Sequence, residues 1–284
     1  MAYLTFLLAI ITAIKHVHLS RAFAATIAAL ALGIVAPASS ADDDGDEIPF
    51  AEAEIFFELN DTDGDLGIHA LIDGDAWKKL VIEDPGERRM LKIRVTGRLR
   101  RQGLTELFFE SAEPTFDELP PEKFFRRFPE GTYEIEGVTL EGIELESEVK
   151  LTHVMPAPAV VEVNGAAAAA NCDAELPVVN KGDPVTLTWA EVTMSHPDPE
   201  GGGAGVQPPI PVTIHNYEVV VEIDETPFRT SIILSPDARS FGVPSEILAL
   251  SDLNDGEVKF EILVREASFN QTAVESCFCV GACP

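Results

Sequence analysis

Residues 143–151 read Ile143-Glu-Leu-Glu-Ser-Glu-Val-Lys-Leu151, and this stretch decides the fold class. Ile143, Leu145, Val149 and Leu151 fall on one side of an extended chain, and Glu144, Glu146, Glu148 and Lys150 on the other. A period of two with one apolar and one charged face is the pattern of a strand in a sheet covered on one side only. Outward from it the pattern recurs. Tyr133–Val138 precedes it, and Met90–Arg100 places Leu91, Ile93, Val95 and Leu99 opposite Lys92, Arg94, Arg98 and Arg100. Leu104–Glu110, Trp77–Glu83, Ile68–Ile72 and Glu52–Leu59 complete the series. Turns are expected at Asn60–Asp65, Asp73-Gly-Asp75 and Asp84-Pro-Gly86, where Asp, Asn, Pro and Gly cluster. Only Pro121–Phe128 suggests a helix, with Pro at its start and Phe124, Phe125 and Phe128 at helical spacing. Six or seven such strands close most economically into a sandwich, so a first β-sandwich domain is expected over 48–156.

Pro156-Ala-Pro158 and the run Asn164-Gly-Ala-Ala-Ala-Ala-Ala170 interrupt the alternation, so 157–172 is read as a linker and 173–284 as a second domain. Strands are expected there at Val185–Trp189, Tyr217–Ile223, Phe228–Leu234, Ser240–Val243, Val258–Arg265 and Thr272–Cys279. Pro184-Val-Thr-Leu-Thr-Trp189, Asn216-Tyr-Glu-Val-Val-Val-Glu222, Phe260-Glu-Ile-Leu-Val264 and Asn270-Gln-Thr272 resemble the second, third, sixth and last strands of a fibronectin type III domain. The resemblance covers about Pro158 to Val280. It implies an immunoglobulin-like sandwich in which Trp189, Tyr217 and Val219 face the core, and a module for adhesion, spacing or recognition rather than catalysis. Two departures stand out. Phe260 takes the place of the corner tyrosine, and the loop Ser195–Pro211, with Gly201-Gly-Gly203 and Pro208-Pro209, is long. The expected architecture is therefore all-β, two β-sandwich domains in tandem.

The first 41 residues carry the address. An apolar run at Ala22–Ala36 follows Arg21, ends in small residues (Ala36-Pro-Ala-Ser-Ser-Ala41) and gives way to Asp42-Asp43-Asp44. That is the layout of a secretory signal peptide over 1–41, with cleavage after Ala41 or Ala38 and an acidic tail over 42–47. The earlier run, Tyr3–Ile14, is surplus to such a signal; it fits either an upstream extension or a signal anchor that uses both runs. Both runs are shorter than a bilayer span, and no span is expected after cleavage. The expected location is secreted, extracellular or periplasmic.

With 20 basic and 48 acidic residues the chain has a net charge of −28. Such a field repels nucleic acid and anionic lipid, so neither is an expected partner. High acidity by itself only keeps an exported protein soluble. Against that background the basic residues are concentrated: Lys78, Lys79, Arg88, Arg89, Lys92, Arg94, Arg98, Arg100 and Arg101 lie within 24 positions. Internal compensation is one reading, with outward acids such as Glu52, Glu54, Glu144, Glu146 and Glu148 neutralising them across strands. A patch for an anionic polysaccharide or an acidic protein face, built on Lys92, Arg94, Arg98 and Arg100, is the other.

Cys172, Cys277, Cys279 and Cys283 form an even set in an exported chain, which implies disulfides. Cys277 and Cys279 share a strand face, and a bond between them would be strained. The expectation is Cys172 with Cys277 or Cys279, and Cys283 with the other. A four-cysteine zinc site is the alternative, though C-x-C-x3-C fits zinc spacing poorly. Asp61, Asp63 and Asp65, with Asp73 and Asp75 beyond them, read either as turn residues or as calcium ligands. They fail the EF-hand order, since the sixth position from Asp61 is Leu66. No cofactor other than such a calcium is expected. His69, His153, His196 and His215 form no metal pair, and no nucleophile elbow or phosphate loop is present. The expected function is therefore a non-enzymatic binding or adhesion protein. The alternative is an exported carbohydrate-active hydrolase or its carbohydrate-binding accessory.

Overall fold

The computed structural model describes residues 47–197 and 209–283. The signal peptide, most of the acidic tail and the centre of the long loop lie outside the described residues. The first half consists of β1 (Glu52–Asn60), β2 (Asp65–Glu83), β3 (Arg89–Arg94), β4 (Leu104–Glu110), α1 (Pro121–Arg127), β5 (Gly131–Thr139) and β6 (Glu144–Leu151).

The organising element is β2, nineteen residues long. Its first half pairs with β1 in the register Glu52↔Asp73 to Asn60↔Asp65, and with β4 on the other side. Its second half pairs with β3 and β5, and β6 follows β5. Shifts in register around 73–79 let one strand serve both layers, as at the corner of a folded sheet. The turn expected at Asp73-Gly-Asp75 is therefore not a turn but a point in the middle of a strand. Gly74 is there for room: a Cβ would stand 2.9 Å from the Phe50 ring. Ile55, Phe57, Ile68, Ile72, Leu80, Ile82, Tyr133, Leu145 and Leu151 fill the space between the layers. Phe124 and Phe125 of α1 close it edge-on against Phe57. The Tyr133 hydroxyl donates to the Pro129 carbonyl at 3.1 Å, a corner-tyrosine bond placed in this half rather than in the second. A second departure from the sequence reading is β3, which stops at Arg94 instead of Arg100. Gly97, at φ 63°, turns the chain into a 3-10 turn, Leu99–Arg101.

The second half contains β7 (Val161–Val163), β8 (Ala166–Ala167), β9 (Val178–Val179), β10 (Thr186–Trp189), β11 (Ile214–Glu222), β12 (Arg229–Leu234), β13 (Ser240–Gly242), α2 (Ser245–Leu248), β14 (Glu257–Glu266) and β15 (Gln271–Val280). One layer runs β13-β10-β7-β8 and the other β12-β11-β14-β15. First, second and fifth major strands against third, fourth, sixth and seventh is a fibronectin type III-like sandwich. Trp189, Tyr217, Val219, Phe260 and Phe278 are buried between the layers. Part of the stretch read as linker, 157–172, is structural: Val161 and Val163 of β7 are core residues, paired across to Trp189 and Leu187 of β10.

The two halves are joined by backbone. Residues 58–60 of β1 pair in parallel with 271–273 of β15, which makes one continuous eleven-stranded sheet. The buried side chain of Asn270 secures the joint. It accepts from the Phe57 amide at 2.9 Å and donates to the carbonyls of Thr152 and Val154 at 2.8 and 2.9 Å. Arg265, lying 4.3 Å over the Phe56 ring, pairs with Glu54 across the same seam. The disulfides are Cys172–Cys277 and Cys279–Cys283, so Cys277 takes Cys172, one of the two arrangements open to the sequence. All four thiols are consumed and none remains for zinc.

Candidate functional site

Four of the nine clustered cations, Lys78, Lys79, Arg94 and Arg100, meet at the end of β3. Lys79 of β2 lies directly opposite Arg94 of β3. Lys78, at the irregularity beside it, and Arg100, in the 3-10 turn, complete the lining of a cavity of about 400 Å³ together with Val95, Thr96, Gly97 and Val138. Like charges placed directly opposite on neighbouring strands repel and are destabilising unless something neutralises them. Among the described residues no carboxylate does so. Arg88 pairs with Asp84, whereas Lys78, Lys79, Arg89, Lys92, Arg94, Arg98, Arg100 and Arg101 form no ion pair.

The reason lies in the strand order. Of the acids expected to compensate, Glu144, Glu146 and Glu148 stand on β6, beyond β5, where Glu146 faces Glu136 and Glu148 faces Glu134, and Glu52 lies on β1 opposite Asp73. Strands β5 and β6 make an acidic block, in which Glu47, by hydrogen bonding and by its charge, raises the pKa of Glu146. Glu54 is engaged by Arg265 instead. Charge is thus segregated on this half rather than interleaved. Of the four patch residues read from sequence, Arg94 and Arg100 line the cavity; Lys92, farther back on β3 opposite Val81, and Arg98, just past the turn at Gly97, do not. Lys78 and Lys79 belong to the site, and only the β2–β3 register reveals it.

The acidic turn resolves differently. Asn60 Oδ1 accepts from the amides of Thr62 and Asp63, which is ordinary turn chemistry. Asp61 Oδ1 lies 2.9 Å from His196 Nε2. Asp65 and Asp73 stand at opposite ends of the β1–β2 ladder, eight residues or roughly 26 Å of extended chain apart. The five aspartates therefore do not converge on one ion.

Asp63 and Asp65 instead edge a groove of about 560 Å³ on the outer face of the continuous sheet, across the seam between β1 and β15. Val220, Leu263 and Ala273 form an apolar patch on that face. Around it stand Glu58, Glu113, Glu218, Glu261 and Glu275. Burial, and then repulsion from Glu113 and Asp63, pushes Asp65 up to about 6. Glu261 lies directly opposite Glu275, and burial with that neighbour's charge and hydrogen bond pushes it up to about 7, from an ordinary 4.5. An acid whose value is raised on folding binds its proton more tightly in the folded chain, so stability rises as pH falls through that window. The expected outcome is a higher melting temperature at about pH 5.5 than at about pH 8, with the difference reduced in Glu261→Gln. A melting temperature that falls over the same interval contradicts it.

No family model and no curated protein matches the chain. Among solved structures it is similar to a 1.5-MDa bacterial ice-binding adhesin, described for its host cell surface retention, at 11% identity and a TM-score of 0.24 over 84% of this chain and 66% of that one. A tetra-tandem repeat from the extending region of a large adhesion protein matches at 12% identity and a TM-score of 0.24, over 81% and 49%. A two-domain fibronectin type III segment of chicken tenascin matches at 9% identity and 0.26, over 81% and 98%. The chain thus spans just under two thirds of the adhesin structure and about half of the repeat structure. At these TM-scores the matches carry no argument about function, and the fibronectin-like assignment rests on the strand order. No helix among the described residues is long and apolar enough to cross a membrane.

Proposed function

We propose that this chain is an exported, non-enzymatic binding module that holds an acidic polysaccharide in the cavity lined by Lys78, Lys79, Arg94 and Arg100. One observation supports the reading most: these cations share a cavity and have no ion-pair partner among the described residues, in a chain of net charge −28. The protein's own carboxylates surround the patch at a distance, so a wide duplex with charge on every side is disfavoured, and a run of acidic sugars seated at the cavity is not. Nucleic acid is disfavoured for the same reason. The fibronectin-like half supplies a rigid continuation of the same sheet, suited to presenting the cavity away from an attachment point.

The test is retention on immobilised heparin or dextran sulfate at low ionic strength. A chain this acidic is repelled by such a matrix unless a local patch holds it. Retention that weakens as salt shortens the Debye length, and is lost in Lys79→Gln/Arg94→Gln, is expected. The melting temperature of that variant without ligand should stay the same or rise, since the substitution removes a like-charge pair. Failure of the wild type to be retained, or undiminished retention of the variant, refutes the reading.

The hydrolase alternative draws on the groove, where carboxylates with raised pKa values face a cleft. Against it, Glu261 and Glu275 are hydrogen-bonded to each other, closer than the ~5–5.5 Å that even a retaining glycosidase needs between its two carboxyl groups. Ser195 and His196 are likewise committed separately, to the Ile210 amide and to Asp61. Turnover of chromogenic glycosides, abolished in Glu261→Gln, is the result that favours a hydrolase.

A further inference from the structure

We propose that Glu58, His69 and Glu113 form a binding site for one divalent transition-metal ion of the zinc class, independent of the basic cavity. The three come from separate elements: β1, β2 and the segment after β4. Their ligand atoms nevertheless lie within 4.8 Å of one another. Two oxygens and one nitrogen around an ion at ~2.0–2.2 Å fit inside that limit, and zinc takes imidazole together with carboxylates at such distances. Calcium takes oxygens only and does not use the nitrogen.

The histidine is what distinguishes this cluster from the acidic residues around it. His69 lies on the groove face of β2, opposite Phe56 of β1 and Glu110 of β4. Its side chain is 5% exposed, stacked on Phe56 with ring centres 5.3 Å apart and set edge-on to Phe108. The ring is therefore held in one orientation, with Nε2 3.0 Å from Glu113 Oε1. Fixing a ligating imidazole by its surroundings is what a metal centre requires.

A second observation concerns Gly67, two residues earlier on the same face. A Cβ there would lie 2.4 Å from Glu113 Oε1. The strand thus leaves open the volume into which the Glu113 carboxylate reaches, and Glu58 stands directly across from Gly67 in the register. Glu58 accepts from the Gln271 amide, which also ties it to β15. Of the two arginines that line the groove, Arg265 pairs with Glu54, and Arg229 of β12 forms no ion pair among the described residues. Burial raises the pKa of Glu58, although His69 and the Gln271 hydrogen bond work against the rise. An ion held by these three ligands would face the groove with its remaining coordination, and water or a ligand oxygen would complete it.

Because all four cysteines are in disulfides, thiol ligation does not compete. The experiment is equilibrium dialysis of untagged, metal-stripped chain against Zn²⁺, with Ca²⁺ and Mg²⁺ in parallel and Co²⁺ absorption as the spectroscopic readout. One equivalent of Zn²⁺ is expected, bound at least tenfold more weakly in Glu58→Gln, Glu113→Gln and His69→Ala. The melting temperature of the wild type should rise with Zn²⁺, as linkage requires of a ligand that binds only the folded chain. Since His69→Ala opens a void beside Phe56, Glu113→Gln, at a partly exposed position, provides the variant whose fold is least disturbed. No bound Zn²⁺ in the wild type, unchanged binding in the two Glu→Gln variants, or Ca²⁺ bound as tightly as Zn²⁺ each overturns the proposal.

Discussion

Replacing Asn270 with Ala is expected to destabilise the chain by about 3–5 kcal/mol. Asn270 is fully buried. Its carbonyl oxygen takes the Phe57 amide, and its side-chain amide serves the carbonyls of Thr152 and Val154. Truncation leaves the buried Phe57 amide and the half-buried carbonyls of Thr152 and Val154 without these partners, and each such group costs up to about 1–3 kcal/mol. The effect is also qualitative. These bonds hold β1 and the end of the first half against the start of β15, so their loss should separate the unfolding of the two halves. Denaturant unfolding followed by tryptophan fluorescence reads both, since Trp77 lies in the first core and Trp189 in the second. A loss below about 1 kcal/mol with a single transition would show that the β1–β15 ladder needs no such anchor.

The second large effect belongs to the disulfides, and the two bonds are expected to differ. Cys172–Cys277 spans 105 residues, whereas Cys279–Cys283 spans 4. In the chain-entropy account the long loop contributes about 4–5 kcal/mol and the short one about 2 kcal/mol. The Cys172→Ala/Cys277→Ala pair should therefore lower stability about twice as much as Cys279→Ala/Cys283→Ala. The long bond also pins the segment between β8 and β9 to β15, where the Ser276 hydroxyl donates to the Ala169 carbonyl. Equal losses from the two variants, or a larger loss from the short loop, would falsify the assignment of the main constraint to Cys172–Cys277. Thiol titration of denatured, unreduced chain should find no free thiol, as the pairing requires.

Much of the strand inventory was legible because it is local. Alternation in Ile143–Leu151, Tyr217–Ile223 and Val258–Arg265 places apolar side chains on one face whatever the neighbours are, and those segments are β6, β11 and β14. Pro121 and the spaced phenylalanines marked α1 in the same way. Local signals misled where one residue type serves two purposes. Gly74 between two aspartates reads as a turn, yet its use is to admit the Phe50 ring. The alternation from Met90 to Arg100 continues past Arg94 in sequence only, because Gly97 takes a left-handed conformation that a pattern of polarity does not record.

By itself the sequence determined that the chain is all-β, that its halves have separate cores, and that its cysteines are paired. Those properties follow from composition, from a two-residue period and from an even cysteine count. Tertiary structure alone decided the sites. Lys79 meets Arg94 through the β2–β3 register, and the acids of β6 stand two strands beyond Lys79. Glu58 and Gln271 come together through a parallel pairing of segments more than 200 residues apart, and Glu113 reaches His69 over Gly67. Register and strand order are set by the total burial of both cores. No window of sequence contains that sum, so the chemistry it assembles appears only when the chain is folded.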